Sequence, residues 1–96
     1  MDEKDEQLID DLNYKIARNY LDLADMYMSS KVWGITPERL RLDIANEVNQ
    51  DLDFAAEIIA RSSGERWNKL AQRLEVLVNS CSAKIEKIMR KLGAAQ

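Results

Sequence analysis

ERWNKLAQRLEVLVNSCSAKIEKIMRKLG, residues 65–93, is the stretch that decides the fold. Trp67, Leu70, Leu74, Leu77, Cys81, Ile85, Ile88 and Leu92 recur at intervals of three and four, so they line one face of a helix. At 1.5 Å per residue the row predicts about seven turns and needs a groove or partner about 40 Å long to cover it. Gly93 is read as its end. Just upstream, Ser62 and Glu65 suit a capping box, the serine as N-cap and the glutamate reaching back from three residues on.

Working backwards, Thr36-Pro37-Glu38 is a second start signal. Thr36 is a good N-cap, Pro37 fits the first helical position, where its missing N–H costs nothing, and Glu38 favours the positive end of the dipole. Ile35 and Leu40 stand at the positions of a hydrophobic staple. Leu40, Ile44, Val48, Leu52, Ala55 and Ile59 then form one face of a middle helix, which Asn49-Gln50-Asp51 could divide in two. Residues 8–32 predict a first helix, stopping near Gly34, with two apolar rows. One is Ile9, Leu12, Ile16, Tyr20, Leu23 and Tyr27; the other is Tyr14, Ala17, Leu21, Ala24 and Met28. Together the two rows make a wide apolar arc. Lys15, Arg18, Asp22 and Asp25 mark the solvated side.

These elements predict an all-α fold: a single domain over 1–96, a bundle of helices of about 25, 25 and 28 residues packed antiparallel. Residues 1–7 are expected to be a loose acidic start and 94–96 a loose end. The 96 residues are 46% hydrophobic and 32% charged with three glycines and one proline, a composition that suits long helices and not a disordered tail. No apolar run approaches the ~20 residues that span a bilayer, and the MDEKDE start is acidic where a signal peptide is basic. The expectation is a cytoplasmic protein without a membrane partner. With one cysteine and no histidine, the usual zinc ligand sets and histidine-based triads are not available, so no catalytic, cofactor or metal residue is assigned. Asp51, Asp53 and Glu57 lack the glycine-bearing spacing of a calcium loop.

Charge is unevenly distributed. Residues 1–60 carry 14 acids and six bases, and residues 61–96 carry three acids and eight bases. On the last helix Arg66, Lys69, Arg73, Lys84, Lys87 and Lys91 fall near one line, a ridge that either contacts phosphates or solubilises the helix and pairs with acids of the middle one. Asp5, Glu6, Asp10 and Asp11 favour the start of the first helix through its dipole, and form a candidate acidic surface for a partner protein.

Ile44 to Asp51, followed by Ala55 and Ile58, partly fits a helix-turn-helix, with Asn49 in the turn. Gln50 stands where that motif is usually apolar, and Asp51, Asp53 and Glu57 give the second helix the wrong sign for phosphates. The run Asn19-Tyr20-Leu21-Asp22-Leu23-Ala24, with Arg41-Leu42-Asp43-Ile44 and Leu52-Asp53-Phe54 after a gap, resembles the D subunit of the flagellar master transcription activator over about half of the chain. That resemblance implies an all-helical dimer acting on DNA with a second subunit.

Trp33 and Trp67, at helix boundaries, are expected to fill the ends of the bundle, and Cys81 to be a buried thiol. Met26, Met28 and the three tyrosines suit either core packing or an adaptable partner surface. Two apolar rows on one helix exceed what a three-helix bundle covers, so a homodimer or obligate partner is expected, with Tyr14, Leu21 and Met28 as candidate interface residues. The leading functional expectation is a non-enzymatic inhibitor, adaptor or small regulatory subunit that binds a protein. The alternative is a DNA-binding transcriptional regulator subunit that uses the basic ridge of the C-terminal helix.

Overall fold

In the computed structural model, which describes residues 2–94, the chain forms four helices, α1 (Glu3–Met28), α2 (Ser30–Ile35), α3 (Glu38–Ala60) and α4 (Glu65–Ala94), and no strand among those residues. The three long helices run up, down and up as a rod of 59 × 20 × 19 Å, and α2 is a short helix of six residues that follows the end of α1. This is the expected small all-α bundle.

The boundaries differ from expectation in ways that local hydrogen bonds explain. α1 starts at Glu3, because the Asp2 carboxylate accepts the Asp5 amide and caps it, so Glu3–Gln7 of the segment expected to be loose is helical. Met1 and residues 95–96 lie outside the described residues. α1 ends at Met28, earlier than the glycine predicted. Ser29 adopts an extended ψ of 146°, its hydroxyl donates to the Met26 carbonyl at 2.8 Å, and the same oxygen accepts the Val32 amide at 3.3 Å. One side chain therefore closes α1 and opens α2.

Thr36 does not cap α3. Its hydroxyl donates back to the Val32 carbonyl at 2.7 Å, closing α2, and Pro37 occupies the N-cap position without a side-chain bond. Ile35 and Leu40, the expected staple, are both exposed. Ser62 likewise serves the preceding helix: its hydroxyl donates to the Ile58 carbonyl at 2.9 Å instead of opening a capping box. The turn into α4 is made by Gly64, whose φ of 121° is a backbone conformation that other residues rarely adopt. α3 is continuous through Asn49-Gln50-Asp51. α4 passes through Gly93 to Ala94, one residue beyond its predicted end.

The core holds Ala17, Leu21, Ala24 and Met28 from α1, Ala45, Val48, Leu52, Ala55 and Ile59 from α3, and Trp67, Leu70, Leu77 and Cys81 from α4. The row of α1 that faces inward is thus the alanine-bearing one, which also holds the residues expected at an interface. Ala17, Ala24, Ala45 and Ala55 are all fully buried, and side chains this small let the axes of α1 and α3 approach closely. The bulkier row lies about 120° further around α1 at ~100° per residue, outside the arc that two neighbouring helices cover. The α4 row behaves as predicted through Cys81. Past it, Ile85 and Ile88 are half-buried and Leu92 is exposed, because α1 no longer runs alongside.

Candidate interaction surfaces

At one end of the rod, α1 and α4 are clasped. Arg66 donates to Asp10 and, at 2.8 Å, to Asp11, and the Trp67 indole N–H donates to Asp10 at 3.2 Å. Tyr14 lies under the Arg66 guanidinium at 4.7 Å and meets the Trp67 ring edge-on at 5.5 Å. The Arg66 hydrogen bond holds the Asp10 carboxyl below its ordinary value, with the Trp67 bond acting in the same direction. The two carboxylates raise Arg66 in turn. A turn or two further along, Arg73 reaches Asp22 at 2.7 Å and Asp25 at 3.5 Å.

Much of the charge split along the sequence therefore closes within one molecule, mainly between α1 and α4, with one pair from α4 to α3. Of the acidic candidates, Asp10 and Asp11 are engaged with Arg66, while Asp5 and Glu6 are exposed. The basic ridge is divided. Arg66 and Arg73 bind α1, and Lys69 lies 3.9 Å from Glu65 on its own helix. Lys91 pairs with Glu38 of α3, and Lys84 lies 5.7 Å from the Trp33 ring centre with Ser80 as a hydrogen-bond partner. Lys87 is exposed with no ion pair among the described residues.

The interface candidates are corrected by the same packing. Leu21 is fully buried and Met28 is 5% exposed, so both belong to the core of a single chain, and Tyr14 is half-buried in the Arg66–Trp67 cluster. What remains outside is the other α1 row. Ile9, Leu12, Ile16 and Leu23 are 44–49% exposed and Tyr27 is 37% exposed. Tyr20, from the same row, packs against Phe54 of α3 at 5.8 Å between ring centres, and Phe54 is itself 43% exposed. An apolar stripe thus follows the α1/α3 side for most of the length of α1. The alanines of the competing row were the sequence signal that could have found it.

A second feature lies at the far end, where α1 has given way to α2. There α3 and α4 continue as a pair, and a groove of about 540 Å³ opens between them. Trp33, Leu42, Ile88 and Leu92 supply apolar walls, and Arg39, Arg41, Lys84, Lys87 and Lys91 surround them with Glu38 as the one acid. Arg41 is fixed by donating to the Trp33 and Thr36 carbonyls at 3.0 and 3.1 Å while lying over the Trp33 ring. Sequence reading placed three of these lysines on the ridge and missed Arg39 and Arg41, which only the antiparallel pairing of α3 with α4 brings alongside.

The helix-turn-helix pattern does not survive, since α3 runs unbroken through the supposed turn and Asn49 has no left-handed backbone. Cys81 is fully buried, and its thiol donates to the Ala45 carbonyl at 3.2 Å. Burial pushes this thiol above its ordinary value, with Lys84 opposing weakly. Among the described residues no helix is long and apolar enough to cross a membrane, and no three acidic or cysteine side chains converge as a metal site.

No protein-family model matches the chain, and neither a curated protein nor a solved structure does so. The resemblance to the flagellar activator subunit gains nothing from these comparisons.

Proposed function

We propose that this protein is a non-enzymatic interaction protein, an inhibitor, adaptor or small regulatory subunit of the cytoplasm, that binds a partner protein through the α1/α3 face. The observation that carries this reading is the uncovered row of Ile9, Leu12, Ile16, Leu23 and Tyr27 with Phe54 beside it. Contiguous apolar area on an otherwise charged rod marks an interaction site more often than it marks idle surface. Burying the remaining half of one such side chain is worth about 1 kcal/mol, so a row of five or six supplies a useful fraction of an interface. Asp5 and Glu6, exposed at one end of the row, steer a basic partner towards it.

The DNA-binding reading has less support, because Arg66 and Arg73 are held by carboxylates of α1 and would bring those acids towards a phosphate backbone. Capture from a host lysate, split into nuclease-treated and untreated halves, separates the two. A single protein retained near one-to-one in both halves, and lost on Ile16→Glu, supports the interaction reading. Diverse retention that disappears with nuclease overturns it.

A further inference from the structure

The two ends of the rod are complementary in charge and in apolar content. At the groove end the third position of the bundle is vacant: α1 stops at Met28, and beyond Trp33 only α3 and α4 continue. The apolar walls there are left without a covering helix. Around them, Lys91 is matched by Glu38 and Arg41 is taken up by two carbonyls, while Arg39, Lys84 and Lys87 have no carboxylate partner among the described residues. A cationic rim around an apolar floor selects an occupant that is amphipathic and acidic.

This chain carries such an element at its other end. Residues 2–9 are exposed throughout and helical from Glu3, and they precede Asp10, the point at which α4 first grips α1. The arm bears Asp2, Glu3, Asp5 and Glu6 against Lys4 alone, and it ends in Leu8 and Ile9, which are 57% and 44% exposed. We infer that the protein self-associates by seating this acidic N-terminal arm of one copy in the α3/α4 groove of a second, where it takes the place that α1 vacates. Asp5 and Glu6, the acids on or beside the face of Leu8 and Ile9, then meet the cationic rim of Arg39, Lys84 and Lys87, and the arm's leucine and isoleucine meet the Trp33–Leu92 wall.

The groove lies apart from the α1/α3 face that the partner protein is proposed to use, and the arm shares only Asp5, Glu6 and Ile9 with that reading, so reversal of the rim, which touches the groove alone, and Ile16→Glu, which touches the face alone, tell the two apart. The test is equilibrium sedimentation of the full chain over a range of concentrations at low and high salt. Wild type is expected to associate, and to associate less as salt screens the contact. Arg39→Glu/Lys87→Glu, which reverses the rim, and Asp5→Lys/Glu6→Lys, which reverses the arm, are each expected to weaken association roughly tenfold or more. Mixing the two reversed variants restores it as a mixed complex, since each retains what the other lacks, and this rescue also excludes misfolding as the cause of the loss. A chain that stays monomeric at every concentration overturns the inference. So does association that both reversals leave intact, or that only Ile16→Glu removes.

Discussion

The Arg66 guanidinium hydrogen-bonds the Asp10 carboxylate, 56 positions earlier in the chain, while the neighbouring Trp67 indole donates to the same carboxylate. This contact sets the register of α4 along α1, because a ring and a planar fork fix one acceptor from two adjacent positions. It also explains why the ridge of positive charge on α4 is only partly available to any outside ligand.

An acid dependence follows from it. Asp10 ordinarily titrates at 3.8 and is held lower in the folded protein by Arg66. A carboxylate depressed in this way contributes stability that is complete above its ordinary value and disappears as pH falls through the lowered one. Asp10→Asn is therefore expected to lower the Tm near neutral pH and to flatten its fall in acid. Thermal unfolding followed by circular dichroism across the acid range measures both. A variant whose acid profile is parallel to that of wild type would show that the clasp does not form.

Leu21 and Leu23 distinguish the two rows of α1. Leu21 is fully buried, so Leu21→Ala is expected to cost about 2–5 kcal/mol through lost burial and the cavity left behind. Leu23 is 45% exposed, and Leu23→Ala is expected to cost less than about 1 kcal/mol. Urea denaturation of the two variants gives the comparison directly, and a larger loss for Leu23→Ala would reverse the assignment of the core.

Much of this architecture was legible in the sequence. The all-α class and the α4 row through Cys81 follow from periodicity alone, and Trp67 fills one end of the bundle as its position at a helix start suggested. The periodicity of α1 could not say which of two overlapping rows faces inward, since both have helical spacing and the larger side chains look like the better core. The choice is made by packing: the row that carries Ala17 and Ala24 shares one core with Ala45 and Ala55 of α3, and small side chains leave room for a neighbouring helix. Ser29, Thr36 and Ser62 were ambiguous for a different reason. A hydroxyl near a helix junction can cap the next helix or bond back to the last one, and only the junction geometry decides between them. The groove could not be read at all, because it depends on where α1 ends relative to α3 and α4.

Ser29 carries the junction between α1 and α2. Ser29→Ala removes the acceptor for the Val32 amide and the donor to Met26, and is expected to cost about 0.5–2 kcal/mol, the range for loss of an N-cap. Amide hydrogen exchange is expected to rise in residues 30–35 first. Unchanged exchange there would mean that α2 is held by Trp33 and not by its cap.

Cys81 provides a probe of opening. With its thiol fully buried and held by the Ala45 carbonyl, labelling by an aromatic disulfide reagent is expected to be slower than for the unfolded chain by roughly a hundredfold or more. Denaturant should accelerate it in step with unfolding. Rapid labelling of the native protein would place Cys81 outside the core.

The most direct test of the proposed function is a titration of the captured partner protein against wild type and against Ile16→Glu/Leu23→Glu, whose substitutions lie on exposed positions and leave the core row intact. Placing two charges at the centre of an apolar interface is expected to weaken binding by about a hundredfold or more while the helical content is unchanged. Affinity within twofold of wild type would mean that the α1/α3 face is not the surface the partner covers.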